Sequence, residues 1–172
     1  MANNIFLGLG SNQGERIDFL RKAIHQIDND EYCSVEKISS IYETKPYGVK
    51  EQDNFFNVVI KINSSYSLSE LFQRLKLMEK EIGKMKLFRW GPREIDIDIL
   101  FFDDLVYSDD KIIIPHKDFL NREFVLKPMQ EISPEFIHPV VKKKIGELDD
   151  AKEKLIINKY NPDLLKTDED KY

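Results

Sequence analysis

The order of hydrophobic patterns predicts an α+β fold: a split β-α-β core in which a mainly antiparallel sheet carries helices packed on it. Three observations carry that expectation. Strand-like runs rich in β-branched and aromatic residues occur at 4–9, 34–46, 55–65 and 94–102, helical stripes occur between 15 and 27 and between 67 and 83, and together they read β-α-β-β-α-β. A chain of 172 residues has room for one ordinary domain. Residues 1–160 are predicted to form it, with the acidic 161–172 as a flexible tail.

Taken in order, Ile5, Leu7 and Leu9 alternate in the first strand. "GLGSNQG" (8–14) then makes a tight strand-to-helix turn that needs a positive φ. Ile17, Leu20, Ile24 and Ile27 form the stripe of the first helix. "SVEKISSIYETKP" (34–46) and "FFNVVIKINSS" (55–65) are two strands joined by a polar Pro/Gly loop too long for a two-residue hairpin. Ser67 and Glu70 form a capping box that opens the second helix, and Gly83 closes it. Leu68, Leu71, Phe72, Leu75, Met78 and Ile82 supply the apolar face of that helix. "KMKLFRWGPR" (84–93) is a basic, aromatic loop leading into the strand "EIDIDILFF" (94–102). Beyond it lie a short strand "KIIIP" and a helix within 118–133 interrupted by Pro128.

The composition, 41% hydrophobic with 33% charged residues, excludes wholesale disorder. The formal net charge of −5 argues against nucleic acid and anionic membranes as partners, so an anion site must be a local gathering of Lys and Arg. No run of 18 apolar residues predicts a membrane span, and the N-terminal stretch lacks a basic leader. The single cysteine, Cys33, reads as a small half-buried residue, which agrees with a reducing compartment. The chain is expected to be cytoplasmic and monomeric, with small molecules as its partners.

The chemistry concentrates in "RWGPREIDIDIL" (89–100). Residues two apart in a strand share a face, their Cα atoms about 6–7 Å apart, so Asp96 and Asp98 present two carboxylates side by side. Ile95, Ile97, Ile99 and Phe101 are predicted on the opposite face, with Leu100 and Phe102 continuing that of the aspartates. Two carboxylates at the mouth of a core need a cationic partner. Arg89, Arg93 and Lys84 would make plain salt bridges; alternatively a divalent metal sits there, and two hard oxygen ligands beside loop arginines suit Mg²⁺ carrying a polyphosphate. Glu79, on the apolar stripe of the second helix, also needs a partner, and Lys76 one turn back is the simplest. "GLGSNQG" is neither G-x-G-x-x-G nor a Walker loop.

At this segment the chain closely resembles the 6-hydroxymethyl-7,8-dihydropterin pyrophosphokinases of folate biosynthesis. "GLGSNQG", "SSIYETKPYG…FFNVV", "LMEKEIG" and "IIIPHKDFLNREFVLKPMQEISPE" match that family in order, over roughly residues 4–138. The resemblance implies transfer of the β,γ-pyrophosphoryl group of ATP, the co-substrate, to the pterin's hydroxymethyl oxygen, releasing AMP. It implies two Mg²⁺ ions on Asp96 and Asp98, with Arg93 and Lys84 on the phosphates. Phe55 and Phe124 would sandwich the pterin, Thr44, Pro46, Tyr47 and Asn57 would read its edge, and Trp90 would close over it. Glu79, Lys76, Ile99, Lys111, Ile112, His116, Lys117 and Arg122 would line the ATP side. Lys76, Lys84 and Lys117 depart from the family's usual residues, and lysine lacks arginine's bidentate fork. Two other classes share parts of the pattern: D-x-D nucleotidyl or glycosyl transferases, and non-catalytic ferredoxin-like domains that bind small molecules.

Overall fold

The computed structural model describes residues 2–46, 48–83 and 94–166. The chain runs β1 (Ala2–Ser11), α1 (Arg16–Asp28), β2 (Cys33–Ile38), β3 (Ile41–Thr44), β4 (Phe55–Ser64), α2 (Leu68–Ile82) and β5 (Asp96–Phe102). A two-stranded ribbon, β6 (Tyr107–Ser108) with β7 (Ile113–Ile114), then precedes α3 (Glu123–Ile132) and β8 (Ile156–Tyr160). The main sheet has the order β5-β1-β4-β3-β8, with β2 also pairing β4, and every pairing is antiparallel. This is the predicted split β-α-β arrangement, with β8 added at one edge.

Alternation along the strands feeds two cores. Ile5, Leu7 and Leu9 of β1 join Leu20, Ile24 and Ile27 of α1 and Leu71, Leu75 and Met78 of α2 on one face. Phe6, Val59, Leu100 and Phe101 meet Val125, Leu126 and Met129 of α3 on the other. The capping box forms as predicted: Ser67 Oγ accepts from Glu70 N at 3.3 Å and Glu70 Oε2 accepts from Ser67 N at 2.8 Å. Gly83 closes α2 at φ 109°.

Several expectations are corrected. The strand foreseen at 34–46 is β2 and β3, broken at Ser39–Ser40. Ser39 Oγ accepts from Val59 N there, and Ser40 donates from N and Oγ to Glu131 Oε1, so side chains replace part of the ladder. "GLGSNQG" is strand as far as Ser11, and only Gly14 takes the positive φ, 65°. Facing in β5 follows the predicted alternation to Ile99 and then flips. Leu7 pairs Ile99 but Phe6 pairs Phe101, so Leu100 is an extra residue in a bulge; Phe101 joins Leu100 on the α3 face and Phe102 packs on the other. Pro128 lies within α3 without ending it, because the apolar face of Val125, Leu126 and Met129 holds the helix on the sheet. The break falls earlier, where a 3₁₀ turn at Phe119–Asn121 precedes Arg122. Of the tail expected from 161, residues 161–166 are described and packed on the domain: Leu165 is buried in the core beside α1, and Arg21 Nη2 donates to Leu164 O at 2.7 Å. Among the described residues no helix is long and apolar enough to cross a membrane.

Candidate active site

β5 places Asp96 opposite Gly10 and Asp98 opposite Gly8 of β1. The two glycines bring no side chain to that face, and the space they leave, under α3, is a hollow. It is lined by the aspartates, Leu100, Thr44, Lys45, Phe55, Asn57, Arg122 and Phe124, among others. A second hollow lies on the far side of β5, between that strand and the 109–117 segment, with Phe72, Ile99, Lys111, Ile112, His116 and Lys117 in its wall. Among the described residues Asp98 alone lines both.

The first hollow is rigid where its polar groups sit. Asn57 is buried and donates its amide Nδ2–H to Thr44 Oγ1 at 2.8 Å, which fixes the orientation of the amide. The loop before β4 is pinned from the β1–α1 turn. Asn12 Nδ2 donates to Gln52 Oε1 at 2.9 Å and to Asp53 O at 3.1 Å, and Arg16 Nη1 donates to Asn54 O at 2.9 Å. The Arg16 guanidinium also lies 3.8 Å from the centre of the Phe56 ring. The β1–α1 turn therefore holds another loop.

Burial, followed by the negative charge of Asp96, pushes the Asp98 carboxyl up to about 6, against the pull of Lys76 and Arg122. A hard cation at the pair would relieve that repulsion. No group of three or more His, Cys, Asp or Glu side chains that could hold a metal ion occurs among the described residues. A cation on two carboxylates draws its remaining ligands from water or from a phosphate. His116 is held the other way: burial first, then Arg122, lower it to about 4, so its ring is neutral near pH 7. Its Nδ1 accepts from Asp118 N at 3.2 Å, which leaves Nε2 to carry the proton.

The pterin set implied by the resemblance is gathered in part: Thr44, Phe55, Asn57 and Phe124 share the first hollow, while Pro46 is buried beside Thr44 in the chain. Of the ATP set, Ile99, Lys111, Ile112, His116 and Lys117 share the second hollow, and Arg122 lines the first. Glu79 and Lys76 line neither. Glu79 Oε1 accepts from Ile97 N at 2.7 Å and from Lys76 Nζ at 3.0 Å, and Lys76 Nζ also donates to Ile97 O at 3.2 Å. The two residues clamp α2 to the strand that carries the aspartates. Tyr47, Lys84, Arg89, Trp90 and Arg93 lie outside the described residues. Gly8, Gly10, Lys45 and Leu100 line the first hollow without having been singled out as site residues; the G-x-G spacing in a strand was the available signal for the glycines.

The model of the 7,8-dihydro-6-hydroxymethylpterin-pyrophosphokinase family matches residues 6–134. The chain belongs to that family. A 2-amino-4-hydroxy-6-hydroxymethyldihydropteridine pyrophosphokinase from Aquifex aeolicus is 43% identical over 143 residues, 83% of this chain and 88% of the relative. The pyrophosphokinase of the same name from Bacillus subtilis is 39% identical, over 77% of this chain and 79% of the relative. Among solved structures, Plasmodium falciparum HPPK-DHPS superposes with a TM-score of 0.66 over 86% of this chain at 16% identity, a likeness of fold. The chain spans 44% of that longer protein. The pyrophosphokinase family transfers pyrophosphate from ATP to the hydroxymethyl group of 6-hydroxymethyl-7,8-dihydropterin, giving the pterin diphosphate and AMP, in folate biosynthesis.

Proposed function

We propose that this chain performs the family's transfer with the pterin in the hollow under α3, ATP in the hollow beside the 109–117 segment, and the reacting atoms meeting at Asp98. The observation that carries this reading is that Asp98 lines both hollows, with Thr44, Phe55, Asn57 and Phe124 of the pterin set in the first and Ile99, Lys111, Ile112, His116 and Lys117 of the ATP set in the second, while Arg122 stands in the first.

Phe55 and Phe124 offer aromatic faces to a flat ring, and Asn57, oriented by Thr44, turns amide groups to its edge. Neutral His116 donates from Nε2–H to a phosphate oxygen, a contact that needs no change of charge as ATP becomes AMP. Lys111 and Lys117 are exposed at the rim and supply local positive charge on a net-negative chain. Asp96 and Asp98 fit Mg²⁺, since both are hard oxygen donors on one strand face whose mutual repulsion a cation relieves. Bound with ATP, two such ions would neutralise phosphate charge and align the hydroxymethyl oxygen with the β-phosphorus. Arg93 and Lys84 would take phosphate oxygens and Trp90 would cover the pterin. Glu79 and Lys76 act from behind, setting the height of β5. The same reading takes the chain as a cytoplasmic monomer acting on these two small molecules.

The test is a product assay with ATP and the reduced hydroxymethylpterin, with and without Mg²⁺. AMP and the pterin diphosphate should appear in equal amounts and only with the metal. Formation of ADP, or turnover undiminished in a chelator, would refute it. Asp98→Ala should cut turnover on the order of a hundredfold to a thousandfold while leaving pterin affinity nearly intact. Unchanged turnover would reduce the aspartates to partners in structural salt bridges with neighbouring cations.

A further inference from the structure

Beyond the family-matched residues, the segment at 153–156 is tied to two walls of the first hollow. Glu123, at the start of α3 between Arg122 and Phe124, is buried, with 8% of its surface exposed. Its Oε2 accepts two backbone hydrogen bonds, from Leu155 N at 2.7 Å and Ile156 N at 3.0 Å. On its other side Leu155 O accepts from Lys45 N at 3.0 Å, and Ile156 pairs with Thr44 as β8 joins β3. Arg122 and Glu153 form an isolated parallel bridge, and Ala151 and Leu155 are buried. Residues 153–156 are thus bonded on one side to the helix start that carries Arg122 and Phe124. On the other side they are bonded to the strand end that carries Thr44 and Lys45.

We propose that Glu123 and residues 153–156 form a brace that sets the separation between Phe124 and the Thr44–Asn57 edge, making Glu123 a positioning residue for the pterin. A planar ring held between an aromatic face and a polar edge tolerates little change in that separation, because both the stacking and the edge hydrogen bonds are short-ranged. Without an acceptor at Glu123 one buried and one part-buried N–H group lose their partner, and the segment has to move to find water. The far end of β8 is tied separately: Glu43 Oε2 accepts from Asn158 Nδ2 at 3.1 Å and from Tyr160 OH at 2.9 Å. Loss of the Glu123 tie therefore releases the part nearest the hollow and leaves the rest of the strand paired.

Both N–H groups go to a single oxygen, so the brace depends on reach and on an acceptor, and a negative charge is not required. That separates it from an electrostatic role for Glu123 beside Arg122. In titrations of the full chain with the reduced pterin, Glu123→Gln keeps an acceptor oxygen at the same reach and should bind as the unaltered chain does. Glu123→Asp keeps the charge but is one methylene shorter. It should bind the pterin about tenfold more weakly, as should Glu123→Ala, with affinity for a non-hydrolysable ATP analogue unchanged. The reverse order, Gln weakened and Asp unaffected, would overturn the brace. So would equal affinity in all three, or parallel loss of pterin and nucleotide binding. If the alanine variant fails to fold, the Gln and Asp pair still decides. The proposal rests on placing the pterin under α3, which Phe124→Ala in the same titration tests separately. Unchanged affinity there removes the placement and the brace together, whereas weakening there with no effect at Glu123 removes the brace alone.

Discussion

Gly10 shows how much a missing methyl group does at the residue scale. A Cβ built on it would lie 2.8 Å from Asn57 Oδ1, so a side chain here forces the amide to turn. The amide cannot turn without breaking its bond to Thr44 Oγ1. Gly10→Ala is therefore expected to raise the KM for the pterin about tenfold, roughly one well-made hydrogen bond, and to leave the KM for ATP unchanged. Steady-state kinetics with each substrate varied in turn checks the split. The decisive control is the same substitution in an Asn57→Ala background, where it should have no further effect. An effect of the same size in both backgrounds would show that Gly10 serves something other than the amide. Gly8 is the contrast: a Cβ there would meet Leu100 at 3.4–3.6 Å, ordinary contact, so the smaller cost is expected at that position.

The elements were legible where burial repeats and opaque where side chains hold the backbone. The break between β2 and β3 belongs to the second kind. Glu131 of α3 accepts from Ser40 N at 2.9 Å, from Ser40 Oγ at 2.8 Å and from Tyr42 OH at 2.5 Å, crossing 89–91 residues of sequence to do so. Glu131→Ala would strand those donors in a part-buried place and is expected to cost about 2–4 kcal/mol, read as a lower denaturant midpoint at unchanged slope. Nothing within 34–46 announces a partner so distant, which is why that stretch reads as one strand. The bulge at Leu100 is silent for a related reason: Leu100, Phe101 and Phe102 are all apolar, so the pattern carries no mark of the flip. β8 hides because only Ile156 is even half-buried, the rest being exposed, with Asn158 and Tyr160 tied through their side chains to Glu43. Asp96 and Asp98, by contrast, follow from period-2 alternation alone, and so does their apolar backing at Ile95, Ile97 and Ile99. Periodicity stops there. The grouping of Thr44, Phe55, Asn57 and Phe124 depends on three separate elements meeting, β3, β4 and α3, which no local pattern encodes and the family resemblance does.

Across the whole molecule, two histidines, buried His138 and half-buried His116, tie stability to pH. His138 is 3% exposed, its ring packed edge-on to Phe101 at 5.3 Å, and its Nδ1 accepts from Val140 N at 3.2 Å and Val141 N at 3.3 Å. Burial lowers its pKa, as burial and Arg122 lower that of His116 to about 4. A histidine whose folded pKa lies below its unfolded value of about 6.5 favours the unfolded chain once protons begin to bind there. The stability that these groups allow is therefore fully present above about pH 6.5 and falls as the pH drops. The slope is up to about 1.4 kcal/mol per pH unit for each histidine until the folded protein also takes the proton. Asp98 works in the opposite sense: raised to about 6, it takes up its proton in the folded state first and returns stability between about pH 6 and 4. The net fall below about pH 6 should therefore be shallower than the two histidines alone would give. Denaturant unfolding in a chelator at half-unit steps from pH 7.5 to 4.5 measures it. His138→Asn keeps an acceptor for Val140 and Val141 but does not titrate. It should start less stable, by about 1–2 kcal/mol for the packing lost beside Phe101, and lose less on acidification. A variant whose stability follows the same pH curve as the unaltered chain, merely displaced, would show that His138 carries none of the dependence.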